Sequence, residues 1–437
     1  MNFKTLFRRN KRKNNQELSI KPVSDNTILN IISFYAITFI IFGFVMSPPR
    51  EIITGLFRIL TVRDTLITDY IGIGGMGATF VNAGLLNLMV CALYRITKAK
   101  ISGTAVACLF LLLGFGLFGK NLVNIWSIVA GVYLYARFRR EMFANYINVA
   151  FFGGALAPIF SEILYSSTLS LPFRIPLAVG TSLMLGFILP PIAAHLPKTH
   201  LGFSLYNIGF TAGLMGNLIV ALYKAYGFVP DPVMIWTSGN NTILGIFLLV
   251  LIISMILTGF WIDRRAWAKL PTILSSSGQA PTDFIALVGF GPTLVNMGLC
   301  GLISLIYILL VKADLNGPTI AGVFTIIGFG AFGKHPKNIV PIMMGIFLGT
   351  LTRSVNANDA PLILAALFGT TLAPIAGKFG WFLGVLAGLI HSSAVLSVGI
   401  PKAGLNLYNN GFVAGIVATV MVPVIRSFRN NVDQEKI

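Results

Sequence analysis

Apolar runs too long for a water-soluble core decide what this chain can become. Residues 28–46, 243–262 and 382–396 are predominantly apolar, and a helix that crosses a bilayer needs about 20 such residues. Composition removes the alternatives. Only 11% of the residues are charged, against about 25% in soluble domains, so no water-facing surface can be built. A soluble enzyme, a disordered chain and an ordinary nucleic-acid-binding domain are excluded. The expected fold class is all-α, a polytopic integral membrane protein of the cytoplasmic membrane.

The net charge of +18 is explained by where the basic residues fall. Seven of the 32 lie in the first 25 positions, and most others flank apolar runs, where Lys and Arg fix orientation. Residues 1–25 are therefore expected to be a basic cytoplasmic tail held by anionic lipid, with no nucleic-acid partner. The tail has neither the short apolar stretch nor the cleavage site of a signal peptide. Cys91, Cys108 and Cys300 sit inside apolar runs without pairing or metal spacing, and read as small core residues. No metal and no cofactor is expected.

The chain is also one unit written twice. A shift of 214 positions lays Asn82 and Gly84 on Asn296 and Gly298, Lys98 on Lys312, and Phe118-Gly119-Lys120 on Phe332-Gly333-Lys334. The same shift lays Asp69 on Asp283; with a drift of two positions Pro158 meets Pro374, and with one of about a dozen Pro197-Lys198 meets Pro401-Lys402 and Leu205-Tyr206-Asn207 meets Leu407-Tyr408-Asn409. Such self-similarity marks a duplicated architecture. The basic residues set the two copies in opposite senses: the tail precedes the first apolar segment, whereas Arg264, Arg265 and Lys269 follow its counterpart. The expected organisation is a first membrane repeat over 26–223, an extracytoplasmic linker over 224–240, an inverted second repeat over 241–428 and a cytoplasmic C-terminal tail over 429–437. Both termini are then cytoplasmic. Within each unit two consecutive segments share only about 34 residues, where two crossings need about 40. They form either a re-entrant hairpin, giving 10 spans plus two hairpins, or two short crossings, giving 14 spans.

Two nucleotide-like motifs fail on context. Residues 72–77 match G-x-G-x-x-G, and residues 114–120 and 328–334 match G-x-x-x-x-G-K. All lie in apolar segments without a preceding strand, and the last two continue with Asn121 or His335 instead of Ser or Thr. The repeated polar residues are better candidates. Asn82 and Asn296 fall near mid-membrane beside Gly84 and Gly298, with Thr293 close by in the second copy. Unwound backbone with a polar side chain at that depth is how transporters build solute sites; interhelical packing is the competing role. Lys120 and Lys334 are the charges kept in both hairpins, and they either bind solute or snorkel to an interface. The candidate substrate-binding set is thus Asn82, Asn296, Lys120, Lys334, Gly84, Gly298 and Thr293, and the hairpin tips are expected to meet near the bilayer centre.

The layout resembles urea-transporter-type permeases. Residues 114–132 and 328–350, a Gly-rich break followed by a Gly-containing helix, carry the resemblance, with residues 366–374 and Leu171-Pro172-Phe173. The chain also looks like an uncharacterised bacterial multi-spanning family, and the seven-plus-seven inverted-repeat anion and nucleobase transporters are a rival fold. The resemblance implies a channel or secondary transporter for a small polar solute between two inverted halves, in which a homo-oligomer is allowed. A membrane-embedded enzyme acting on a lipid-linked substrate and a non-transporting scaffold are the competing classes. Nothing in the residue pattern gives a catalytic group.

Overall fold

The computed structural model describes residue 20 and residues 22–64, 67–166, 169–227, 233–398 and 406–434. Most of the basic tail, the Pro401-Lys402 pair and the last residues of the C-terminal tail lie outside them. Among the described residues, nine helices are long and apolar enough to cross a membrane. Strand is confined there to Ile67–Thr68 (β1), paired in parallel with Met234–Ile235 (β2).

The chain opens with Asp25–Met46 (α1), whose first turn is capped by Ser24 accepting the Thr27 N–H. Pro49–Thr61 (α2) starts at a proline and is amphipathic, with Ile53 and Phe57 exposed, as an interfacial helix would be. Tyr70–Thr97 (α3) is interrupted at Gly75, where φ is 81°. Its counterpart is split by the same device: Phe284–Val288 (α13) and Phe290–Leu310 (α14) are separated by Gly289 at φ 95°. Only glycine takes such a φ without strain, so each long helix is preceded by a short, redirected turn. Asn241–Ile262 (α11) and Ala266–Leu274 (α12) correspond to α1 and α2.

Small residues set the crossings. Gly43 and Gly77 bring α1 and α3 together, as Gly259 and Gly291 do for α11 and α14. Apolar side chains gain nothing by leaving lipid for each other, and close backbone approach is what such crossings offer instead. Trp126–Phe138 (α5) crosses Leu171–His195 (α8) at Gly131 and Gly186. Pro336–Leu351 (α16) crosses Trp381–Val398 (α19) at Gly345 and Gly388.

The central pair is Gly103–Phe115 (α4), buried except at Thr104, and Gly317–Phe329 (α15), buried along its whole length. They run antiparallel: Gly114 abuts Ala321, and Gly328 abuts Ala107. Each has 13 residues, about 20 Å of rise, too short to cross an upright hydrocarbon core of about 30 Å. Two carboxylates bind the ends of this pair. Asp69 accepts the N–H of Ile71 and that of Gly317, the first residue of α15. Asp283 accepts the N–H of Ile285 and that of Gly103, the first residue of α4. Each thus caps one helix of its own unit and one of the other, at the helix ends where negative charge is favoured.

Candidate functional site

The site grows from two broken helices. Ile147–Gly153 (α6) and Ala157–Leu164 (α7) are joined by a 3-10 turn at Gly154–Leu156; Ala360–Phe368 (α17) and Ala373–Phe379 (α18) are joined by one at Gly369–Leu372. Pro158 and Pro374 stand just after the breaks and lack the N–H that would continue the helical ladder. Carbonyls at the breaks are taken up by non-helical chain just ahead of a helix in the opposite unit. Leu205 N–H donates to the Thr371 carbonyl (3.1 Å), and Leu407 N–H donates to the Ala155 carbonyl (3.0 Å). Tyr206 N–H adds a bond to Thr371 Oγ1. Immediately afterwards Asn207–Ala225 (α10) and Asn409–Gln434 (α20) begin, and they touch where Gly209 meets Gly411.

Both hairpin lysines reach toward these straps. Lys120 Nζ donates to Tyr408 Oη (2.5 Å), and Lys334 Nζ donates to Tyr206 Oη and to Thr370 Oγ1 (2.7 Å). Each amine also lies over two rings. Lys120 Nζ is 4.9 Å from the Tyr408 centroid and 5.2 Å from Phe115; Lys334 Nζ is 4.5 Å from Tyr206 and 5.3 Å from Phe329. Both side chains are fully buried. The ion pairs found among the described residues involve neither of them. Aromatic faces and neutral oxygens attract a cation without cancelling its charge.

Between the two tyrosines lies a cavity of about 470 Å³. Its wall is built in matching pairs, Phe115 with Phe329, Phe152 with Phe368, Leu205 with Leu407, Tyr206 with Tyr408 and Gly209 with Gly411. Asn148, Asn207, Asn410 and His200 add polar groups, and Pro197, Lys198 and Gly202 form part of the rim. The size falls within the range of small-molecule sites.

The seven sequence candidates divide. Asn82 and Asn296 are fully buried and act on their own hairpins. Asn82 Nδ2 donates to the carbonyls of Gly116 (2.7 Å) and Lys120 (3.1 Å), and Asn296 Nδ2 to those of Gly330 (2.7 Å) and Lys334 (2.8 Å). They tie off the tips, whose turns require glycine at φ 75° (Gly119) and 110° (Gly333). Gly84 packs on Ala36 and Ile40 of α1, Gly298 on Ile252 and Ile256 of α11: both are helix crossings. Thr293 Oγ1 bonds back to the Gly289 carbonyl. None of the seven is in the cavity wall; Lys120 and Lys334 act on it through Tyr408 and Tyr206. The expected meeting of the tips is corrected too. Because α4 and α15 are antiparallel, Leu117 lies beside Gly317 and Ala331 beside Gly103, so the tips are at opposite ends of that pair. The tyrosines were the residues missed, although both stand in the repeated Leu-Tyr-Asn. A buried tyrosine looks like core until its hydroxyl's partner is known.

A family profile described as "Protein of unknown function (DUF1576)" matches residues 48–225 and 262–427. No curated protein and no solved structure matches the chain.

Proposed function

We propose that this chain, which belongs to the DUF1576 family, is a channel or secondary transporter that moves a small organic anion through the cavity between Tyr206 and Tyr408. One observation carries the proposal: two buried amines without a carboxylate partner flank an aromatic cavity. A buried ammonium is costly unless it is paired, and an anionic solute supplies the missing charge while the phenylalanines hold its apolar body. Lys120 and Lys334 are then the charge-selecting residues, and Tyr206 and Tyr408 the hydroxyls between them and the solute.

The layout that goes with this function is an inverted pair of units, each with five crossings and one re-entrant hairpin. The opposed directions of α4 and α15, the reciprocal capping by Asp69 and Asp283, and the exchanged straps all support it. Mirror-related gates around a central site are what such repeats provide. With the basic tail in the cytoplasm, the rim at Pro197–Gly202 faces inward. The likeness to urea-transporter-type permeases is one of layout; the charged site points to a different solute.

Purified protein in liposomes should take up small organic anions faster than neutral or cationic solutes of equal size. Lys120→Met with Lys334→Met should abolish that preference, and Lys→Arg at both should keep part of it. Absence of flux across the panel, or a preference for cations, would refute the proposal.

A further inference from the structure

A buried carboxyl lies beside the tip of hairpin one, and the matching position of the other unit carries none. Asp64, in the connection between α2 and α3, is fully buried. Its Oδ2 accepts hydrogen bonds from Ser161 Oγ (2.9 Å), Asn124 Nδ2 (3.0 Å) and Asn121 Nδ2 (3.5 Å). Among the described residues its Oδ1 has no hydrogen-bond partner within 3.5 Å, and the Tyr70 hydroxyl also faces the carboxylate. The donors are not passive. Asn124 also bonds the Gly119 carbonyl at the hairpin tip and Ser161 on α7, while Asn121 adjoins Lys120. One carboxylate therefore gathers the hairpin tip, the broken helix and the α2–α3 connection.

The counterparts show what is unusual. Asn338 repeats Asn124, with its Nδ2 on the Gly333 carbonyl. At the position matching Asp64 the second unit has Gly278, and at that matching Glu162 it has Lys378. Among the described residues, the tip of the second hairpin is held by Asn338 and by the Ser276 carbonyl on His335, with no carboxylate on it. A purely structural anchor would be needed equally in both units; an acid present in one of them fits a ligand used by one of them.

We propose that Asp64 Oδ1 is a proton-binding site that couples proton movement to the hold on hairpin one. The proposal rests on the transport reading above and adds the coupling ion to it. A proton taken from water forms the Oδ1–H bond and removes one negative charge; no other reactant is needed. Oδ2 stays an acceptor in both states, but bonds to an ionised acceptor are roughly twice as strong as neutral ones. With Asp64 still buried, protonation therefore weakens the bonds from Asn121, Asn124 and Ser161 together and loosens the tip with them. Burial raises the Asp64 carboxyl from its usual 3.8 to about 7, within reach of cellular pH. The charged and titratable groups facing it are Glu162 and Tyr165 from the α7 side, Tyr70 from α3 and Arg63 beside it. Glu162 Oε1 lies 3.6 Å from Arg63, whose side chain is 26% exposed. Lys120 turns its amine away, toward Tyr408.

The test is an infrared titration of the protonated-carboxyl stretch in full-length protein in lipid nanodiscs, combined with hydrogen exchange. One carboxyl should titrate with its midpoint near 7, and the band should vanish in Asp64→Asn but persist in Glu162→Gln. Ser161→Ala, which removes one donor to the ionised form, should raise the midpoint by about one pH unit; this variant keeps the test open should Asp64→Asn fail to fold. Below the midpoint, after correction for intrinsic rates, exchange at residues 119–125 should quicken several-fold and that at residues 333–338 should not. A titration without this carboxyl, a midpoint unmoved by Ser161→Ala, or equal behaviour of the two tips would overturn the proposal. Neither measurement needs a known solute, so loss of the transport reading for want of flux would leave the proton site standing.

Discussion

A single N–H separates the two tip-binding asparagines. Asn82 Oδ1 accepts the Leu122 N–H (3.3 Å), whereas Asn296 Oδ1 has no partner. The reason is in the sequence: Leu122 corresponds to Pro336, and proline has no N–H to give. Asn82→Ala should therefore cost more than Asn296→Ala. The first strands two carbonyls and an amide, the second two carbonyls, at about 1–3 kcal/mol per buried unsatisfied group; thermal unfolding of purified variants checks the order. Asp64 makes a prediction with a sign. Its folded-state value, about 7, lies above the ordinary 3.8, so the folded chain holds the proton more tightly than the unfolded one. The resulting stabilisation is present at low pH and is lost as pH rises through about 7. Unfolding temperatures should show that slope in the native chain and a shallower one in Asp64→Asn. At this scale the sequence pointed to Asn82, Asn296 and both lysines, because position and repetition mark polar residues in apolar runs. It did not reveal their partners, since hydrogen bonds over 34 to 288 positions are set by packing and leave no local pattern.

Elements were more legible than contacts. Pro158 and Pro374 announced the helix breaks, and the short paired segments announced α4–α5 and α15–α16. Which faces of α4 and α15 meet was not readable, because a helix apolar all round shows no preferred face. That crossing is tight at Gly328, where an added Cβ would press on the Ala107 backbone and on Phe110. Gly328→Val should destabilise by about 1–3 kcal/mol, the usual cost of overpacking. A matching substitution at an open position such as Gly180 should cost less. Loss of monodisperse protein on size exclusion and a lowered unfolding temperature would register the difference.

For the whole molecule, the apolar runs pointed to a helical membrane protein, and nine helices among the described residues are long and apolar enough to cross a membrane. How the units interlock was beyond reach, because the exchanged straps are short non-helical pieces with no periodicity. The inverted arrangement predicts sidedness. Met234→Cys, exposed in the linker, should react with a membrane-impermeant thiol reagent from outside intact cells. Lys198→Cys, on the cavity rim, should react only in inside-out vesicles. The three native cysteines are buried and should contribute little background. Labelling of both from one side would rule out the inverted arrangement.

The exchange of straps has a consequence for how the protein is made. A ribosome delivers Leu205 long before Thr371, and Lys120 long before Tyr408. Until the last helices emerge, the first half sits in the bilayer with a broken helix, an amine and an unpaired strap awaiting partners that do not yet exist. Biogenesis must tolerate that interval, whether by lipid, by water or by an insertion factor that shields the polar groups. A chain split within residues 233–240 should accordingly assemble only when both fragments are synthesised together, each the other's late-arriving template.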